Sequence, residues 1–445
     1  MTYDLDLSPQ RRGELLDALR RGTVPATGLD ALANGLERFV PVLTEELGVL
    51  RSGRGLFKAL RGDYGCGKTF FARWFQEYAK REGFAAAEVQ ISEQETPLHR
   101  LETIYRRLIE HLSTADCRQG ALRSIIDGWF YTLEEAVLAS GEVSDDDEKR
   151  LLAATHALME KRLVEVSRSA PAFSACLRAY REAVASGDNE TAEGLIAWLG
   201  GQPNVAASVK RQAGIKGDLD HFAALSFLQG LLVVLRDSGH GGLVLVLDEI
   251  ETLQRVRSDV REKSLNALRQ LMDEIEAGRF PGLYLLITGT PAFYDGPQGV
   301  QRLAPLAQRL HVEFLDDARW DNPRAVQIRL PAFDMARLQQ VGRRVRDLFA
   351  QNSAHADRVQ TLVGDDYVAD LAASVTGKLG GKVGVAPRIF LKKLVGEVLD
   401  RVDLFPDFDP RRDYRLNLSD SELSRVERAA TEGGSVNAIE LELEI

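Results

Sequence analysis

Residues 62–69 read Gly-Asp-Tyr-Gly-Cys-Gly-Lys-Thr and match the phosphate-loop pattern G-x-x-x-x-G-K-[ST]. This stretch limits the possible folds more than any other, because a phosphate loop joins a strand to the N-terminus of a helix, whose dipole faces the anion. Residues 55–61 before it read as a strand, and the aromatic residues after it recur at helical spacing. The sequence therefore predicts an α/β nucleotide-binding domain.

Backbone N–H groups that cage a polyphosphate need unusual dihedral angles and close approach, which the glycines of the loop permit. Lys68 is expected to reach the terminal phosphates of ATP, and the Thr69 hydroxyl to bind Mg²⁺. For Cys66 we favour a small filler residue, with an oxidation switch as the alternative. The predicted nucleotide contacts of the loop are Gly62, Asp63, Tyr64, Gly65, Cys66, Gly67, Lys68, Thr69 and Phe70.

A second apolar run, 243–247, is typical of a buried strand in a parallel sheet, and it ends in two acidic residues. Asp248 is predicted to hold the hydration shell of Mg²⁺, and Glu249 to orient and deprotonate the attacking water. Glu251 is the alternative base. After the strand-like run 283–287, Thr288 and Thr290 are candidates to sense the terminal phosphate, although ordinary turn chemistry explains either.

Three arginines are candidates to stabilise the charge of the transition state. Arg302 and Arg309 follow on a predicted short helix and could supply an arginine finger to a neighbouring subunit; a surface arginine is the default interpretation. Arg388 begins an amphipathic helix and could reach the nucleotide from a lid domain, whereas simple helix-start chemistry is its alternative.

Composition sets the outer limits. The 445 residues are enough for two or three domains, and the net charge of −10 argues against a uniformly basic nucleic-acid binder. The three cysteines are widely spaced, so neither a disulfide framework nor a zinc site is suggested. The chain has no run of eighteen apolar residues and no signal-peptide pattern at its N-terminus, which predicts a cytoplasmic protein without a membrane span.

The order of these patterns divides the chain. Residues 9–52 read as helices, with apolar residues between 29 and 43 near a 3.6-residue period; this segment either packs beside the base or is a plain docking helix. Residues 97–238 are too long for one crossover and predict a helical insertion. The predicted units are a helical segment (1–54), the nucleotide-binding core (55–96 and 239–331), the insertion (97–238), a helical lid (332–402) and a tail (403–445).

The tail has two alternating apolar and polar stretches, at 414–418 and 439–445. Between them, Ser419 to Glu422 matches a capping box, which predicts the start of a helix. Two strands around a helix would form a small winged element. Alternatively, the last strand adds to the sheet edge of a partner, because its acidic face does not suit DNA.

In this order, the phosphate loop, the Asp-Glu strand, the Thr-ended strand and the lid arginine resemble AAA+ ATPases near the initiator-like branch. Residues 61–71, 90–100, 247–252 and 328–331 are similar to the ATP-binding family of BREX phage-defence systems, BrxC/BrxD, and the length favours the BrxD type. The resemblance covers about 10–402. It implies bacterial defence against phage DNA, beside a large Lhr-like helicase.

These observations favour an ATPase whose cycle moves the lid and insertion and drives assembly or remodelling of a DNA-bound complex. A nucleotide-gated scaffold with negligible turnover, which regulates a partner helicase, is the main alternative. A signalling switch that oligomerises on infection is the third. A homo-oligomer fits the finger arginines, and DNA could be bound directly or through the partner.

Overall fold

A five-stranded parallel sheet lies at the centre of the computed structural model, which describes residues 7–141, 143–144, 146–382, 384 and 386–432. Its strand order is β2-β3-β4-β1-β5. The strands are β1 (Leu56–Arg61), β2 (Ala85–Gln90), β3 (Leu243–Asp248), β4 (Leu283–Gly289) and β5 (Gln327–Arg329). The strands expected from the sequence at 55–61, 85–91, 243–247, 283–287 and 326–330 are all confirmed, with ends that shift by one or two residues.

The register of the sheet decides which side chains meet. Leu60 of β1 pairs with Thr288 of β4, and Gln90 of β2 pairs with Asp248 of β3. Every residue of β3 and β4 is buried, as expected for central parallel strands covered on both faces. Because all strands run the same way, the phosphate loop, Asp248 and Thr288 lie at one edge.

One face of the sheet shares a continuous hydrophobic core with the helices between β2 and β3. Trp129 and Phe227 are buried in this core together with Leu245 of the sheet. These helices are α4 (Leu101–Glu110), α5 (Leu122–Ala139), α6 (Glu148–Arg162), α7 (Val164–Ser169), α8 (Pro171–Ser186), α9 (Asn189–Leu199), α10 (Ala207–Gln212) and α11 (His221–Asp237). After β3 and β4 come α12 (Ser258–Glu276), α13 (Pro291–Asp295) and α14 (Ala304–Leu310).

The opposite face of the sheet is covered by α2 (Val40–Arg51) and α3 (Lys68–Arg81). A separate core unites α1 (Pro9–Arg21) with the helices after β5. Those helices are α15 (Met335–Ala350), α16 (Ala356–Leu362), α17 (Asp365–Lys378), α18 (Pro387–Lys393) and α19 (Asp400–Leu404), with a π-helical stretch, Leu394–Leu399, between the last two. The N-terminal helices are thus divided: α1 belongs to this separate core, and α2 belongs to the core on the opposite face of the sheet.

The helix expected from the apolar period at 29–43 is wrong for residues 29–39. Leu29–Ala31 form only a 3₁₀ turn, and α2 begins at Val40. Gly28 and Gly35 have φ of 75° and 77°, a backbone conformation that interrupts a right-handed helix. The apolar side chains are nevertheless buried, so the pattern reports burial without a helix.

The first strand of the predicted winged element is also wrong. Residues 414–418 are irregular and follow α20 (Pro410–Asp413). The Ser419 N–H donates to Glu422 Oε1 over 3.0 Å, but no helix begins there. The capping box lies five residues later, where Ser424 and Glu427 start α21 (Arg425–Thr431). The second predicted strand, 439–445, lies outside the described residues.

Within the described ranges, none of the helices combines the length and apolar character needed to cross a bilayer.

Candidate functional site

The phosphate loop bends around two glycines in the left-handed region. Gly65 has φ of 77° and Gly67 has φ of 95°, a conformation that side-chain-bearing residues adopt only at a cost. The loop is fixed to the sheet by the Gly62 N–H, which donates to the carbonyl of Gly289 over 3.2 Å. Because α3 begins at Lys68, its free N–H groups and its dipole face the loop.

The ammonium group of Lys68 is buried, with 8% of the residue exposed. Its Nζ donates to the carbonyl of Gly62 over 3.0 Å and lies 3.7 Å from Glu251 Oε1. It also lies 5.1 Å from the centre of the Tyr64 ring. A phosphate oxygen carries more charge than a carbonyl and can replace the carbonyl of Gly62 as the acceptor.

The side chain of Cys66, within the phosphate loop, packs next to Gly62. A Cβ at Gly62 would overlap its sulfur atom, so the glycine and the thiol fit each other. Burial raises the pKa of the Cys66 thiol to about 11, with a small opposing effect from Lys68. Since oxidation proceeds through the thiolate, this supports the filler interpretation over an oxidation switch.

Asp248 is where the elements of the site converge. Its carboxylate, 3% exposed, accepts hydrogen bonds from the hydroxyl of Thr69 over 2.8 Å and from the hydroxyl of Thr288. Thr288 in turn accepts from the N–H of Glu249 over 3.2 Å. A hydroxyl beside one carboxylate is an oxygen donor set of the kind that suits Mg²⁺, whose remaining ligands come from waters and substrate phosphates.

Glu249 has an unusual backbone and a defined partner. Its φ of 58° is rare for a residue with a side chain, and its carboxylate accepts a hydrogen bond of 2.8 Å from Gln90 Nε2. Glu251, the alternative base, is 2% exposed and pairs with Lys68. Glu249 is half-buried, so it is the more accessible of the two carboxylates.

A cavity of about 480 Å³ adjoins these groups. Residues 64–70, Asp248, Glu249 and Glu251 form one part of its wall. The N-terminal segment contributes residues 22–25 and 34–36 to the wall. The two predictions for this segment, packing beside the base and a plain docking helix, both stay open. Of the predicted contacts, Gly62, Asp63 and Thr288 do not line the cavity: the first two begin the loop, and Thr288 donates a hydrogen bond to Asp248.

The structure separates the three candidate arginines. Arg388 lines the cavity, where its guanidinium binds the carboxylate of Glu427. Arg309 is paired with Asp273 and Glu276 of α12 and lies away from the cavity. Arg302 is exposed and donates to Gln298 over 2.9 Å.

Sequence reasoning missed three polar residues of the site. Gln90 is a polar residue at the end of an apolar strand, a position that could have marked it. Arg255 donates to the hydroxyl of Tyr64 over 3.4 Å, and Arg337 lines the cavity from α15. No motif signals these two arginines, because they reach the site only through tertiary packing. Thr290, the alternative to Thr288, is buried and lies immediately before α13, at its N-cap position.

The family model of the BREX system ATP-binding protein BrxC/D matches residues 7–418 of this chain. No curated protein matches the chain. The matched range includes the phosphate loop, Asp248 and Arg388, and it ends before α21. The protein therefore belongs to the BREX system ATP-binding protein BrxC/D family, which implies ATP binding and a role in phage defence.

Proposed function

We propose that the protein hydrolyses ATP with Mg²⁺ as an AAA+-type ATPase. The observation that carries this proposal is the convergence on Asp248, whose carboxylate is held by Thr69 of the phosphate loop and Thr288 of β4. The two hydroxyls bring the phosphate loop, β3 and β4 together at one carboxylate in the cavity wall, which supports a Mg²⁺ site there.

Each residue has a distinct role in this proposal. Lys68 binds the terminal phosphates in place of the loop carbonyls that it contacts. Thr69 and Asp248 hold Mg²⁺, which supplies charge stabilisation to the phosphate oxygens. Glu249 accepts the proton of the attacking water, and Thr288 sets the position of both acidic residues because it bonds to Asp248 and to the Glu249 N–H.

The contact between Gln90 and Glu249 supports regulated turnover. While the 2.8 Å hydrogen bond from Gln90 occupies the Glu249 carboxylate, that oxygen is less available to accept a proton from water. If Gln90 holds Glu249 throughout the cycle, the protein acts as a nucleotide-gated scaffold with negligible turnover. If a partner or DNA displaces Gln90, turnover begins on assembly.

For the whole system, we propose that the cycle drives assembly or remodelling of a DNA-associated defence complex in the cytoplasm, with an Lhr-like helicase as partner. Helices 97–238 and the lid, 332–402, are the parts that would move. The net charge of −10 favours contact with DNA through the partner over direct binding. Arg302, which is exposed, is the better candidate for a finger in a homo-oligomer than the ion-paired Arg309.

Steady-state turnover tests the proposal. Wild type, Lys68→Ala and Glu249→Gln would be assayed with Mg-ATP, alone and with single- and double-stranded DNA. We expect Lys68→Ala to lose ATP binding, and Glu249→Gln to keep it while turnover falls at least about a hundredfold. Glu262→Gln, an exposed charge change on α12, is the matched control.

Two results would change the proposal. Wild-type binding without turnover, with and without DNA, would select the scaffold. An active Glu249→Gln variant would move the base to Glu251 or to another residue.

A further inference from the structure

The segment after residue 418 folds back against the cavity beside the phosphate loop. This segment, 419–432, lies beyond the range matched by the family model. It contributes Ser424, Val426 and Glu427 to the cavity wall. Glu427 is the third residue of α21, where its carboxylate accepts from the Ser424 N–H over 2.7 Å in the capping box.

The same carboxylate binds Arg388. Arg388 Nε donates to Glu427 Oε1 over 2.9 Å, and its Nη2 donates to Glu427 Oε2 and, over 2.6 Å, to the carbonyl of Glu422. Glu427 is 3% exposed, whereas the side chain of Arg388 is 37% exposed towards the cavity and solvent. An acidic group of this chain thus occupies the guanidinium fork of the lid arginine.

We propose that α21 is a nucleotide-sensing latch, in which the phosphates of a nucleotide and Glu427 compete for Arg388. This inference rests on the proposed function, because it requires ATP to bind in the cavity. The guanidinium fork fits a carboxylate and a phosphate in the same bidentate way, and a phosphate carries more negative charge. Competition between the two follows from that shared geometry.

Loss of the contact between Arg388 and Glu427 would also displace α21. A carboxylate with 3% exposure that loses its cationic partner pays the cost of burying a lone charge. A polyphosphate in the same cavity adds repulsion between like charges. Both effects favour movement of Glu427, and α21 with it, away from the cavity.

The other end of the segment has a separate anchor. Glu422 Oε1 lies 2.8 Å from the buried ammonium of Lys393, and Lys392 lies 3.4 Å from its other oxygen. Neither lysine lines the cavity, so nucleotide does not compete for them. The segment would therefore pivot near residue 422, and α21 would be released as a unit.

Hydrogen exchange of the full-length wild type tests the latch without a mutation. Amides of 425–432 would be followed with no nucleotide, with Mg-ADP and with saturating Mg-ATP. We expect exchange to rise about tenfold with ATP, and to stay unchanged in Lys68→Ala. Unchanged exchange in wild type with ATP demonstrably bound would overturn the latch and leave the proposed function intact.

A matched pair of variants gives an independent measurement. Glu427→Gln removes the competing charge, so we expect Mg-ATP to bind about tenfold more tightly and α21 to exchange quickly without nucleotide. Glu432→Gln makes the same charge change on an exposed residue that follows α21, and should match wild type. Equal affinities in all three proteins would contradict the competition. No ATP binding by wild type would overturn the proposed function itself.

Discussion

Glu249 is held at both ends. Its N–H donates to Thr288 and its carboxylate accepts from Gln90, so the two neighbouring strands of β3 each contribute a contact. The backbone between these contacts has φ of 58°, which costs roughly 1–2 kcal/mol for a residue other than glycine. A strained conformation of this kind persists because the surrounding hydrogen bonds determine it.

Replacement of Gln90 by leucine should raise basal turnover. The substitution keeps the size of the side chain and removes the donor, so the Glu249 carboxylate oxygen becomes available to accept a proton from water. We expect a roughly fivefold increase in ATP turnover without partner or DNA, equivalent to about 1 kcal/mol for one hydrogen bond. Gln351→Leu, at an exposed position after α15, is the control. A fall in turnover with normal ATP binding would show that Gln90 assists the reaction instead.

Cys66 should resist alkylation. Because burial raises its pKa to about 11, very little thiolate exists at pH 8, whereas the half-buried Cys117 serves as an internal control. Iodoacetamide labelling followed by peptide mass spectrometry should modify Cys117 first.

The same shift has a consequence for stability. In the unfolded chain the thiol ionises at lower pH than in the folded protein, so the contribution of Cys66 to the free energy of unfolding decreases as pH rises from about 9 to 11. Cys66→Ala should lose this part of the pH dependence in denaturant titrations. Fast labelling of Cys66 at pH 8 would contradict both expectations.

The phosphate loop as a unit depends on contact between its first glycine and Cys66. A Cβ at position 62 would overlap the sulfur atom and lie 3.1 Å from the carbonyl of Leu330. The loop must shift to admit it, and such overpacking typically costs about 1–3 kcal/mol.

Gly62→Ala should therefore destabilise the protein by about that amount and weaken ATP binding, as measured by thermal unfolding and nucleotide titration. Adding Cys66→Ala should recover part of the loss, because it removes the overlapping atom. No recovery in the double variant would locate the strain at Leu330 instead.

Arg261 connects the turn after Glu249 to the surface. This arginine is 1% exposed and donates to the carbonyls of Leu253, Gln254 and Val256. It also donates to the side chain of Gln298, which accepts a hydrogen bond from Arg302. A short chain of hydrogen bonds within one subunit therefore joins the turn after Glu249 to Arg302, the candidate arginine finger.

The described residues form three hydrophobic cores: one on each face of the sheet, and one that unites α1 with α15–α19. The cavity beside the phosphate loop has walls from the core that contains α1 and from the core that contains α2 and α3. We therefore expect a ligand bound there to change how these two cores pack on each other. Arg302 does not line this cavity, so the proposed finger role requires a second copy of the chain.

Arg302→Ala should bind ATP normally and turn it over slowly if such copies associate. Lys68→Ala lacks a working site but keeps Arg302. Mixing the two inactive variants should restore turnover above the sum of the separate proteins, because some shared sites then combine an intact loop with an intact finger. Arg309→Ala loses only contacts to α12 and should keep its turnover when assayed alone. Mixing it with Lys68→Ala should not raise turnover above the sum of the separate proteins. Full activity of Arg302→Ala would remove it as the finger.

Local patterns in the sequence determined the phosphate loop, the five strands and the adjacent acidic residues Asp248 and Glu249. Each of these depends on dihedral angles, periodicity or neighbours a few residues apart. Tertiary structure alone decided which polar groups meet. Gln90 and Glu249 are 159 residues apart, and Thr69 and Asp248 are 179 apart. The pairing of Arg388 with Glu427 likewise depends on how α21 packs. Periodicity in the sequence reports that a side chain is buried, but the partner it meets is set by the register of the sheet and the packing of helices on it.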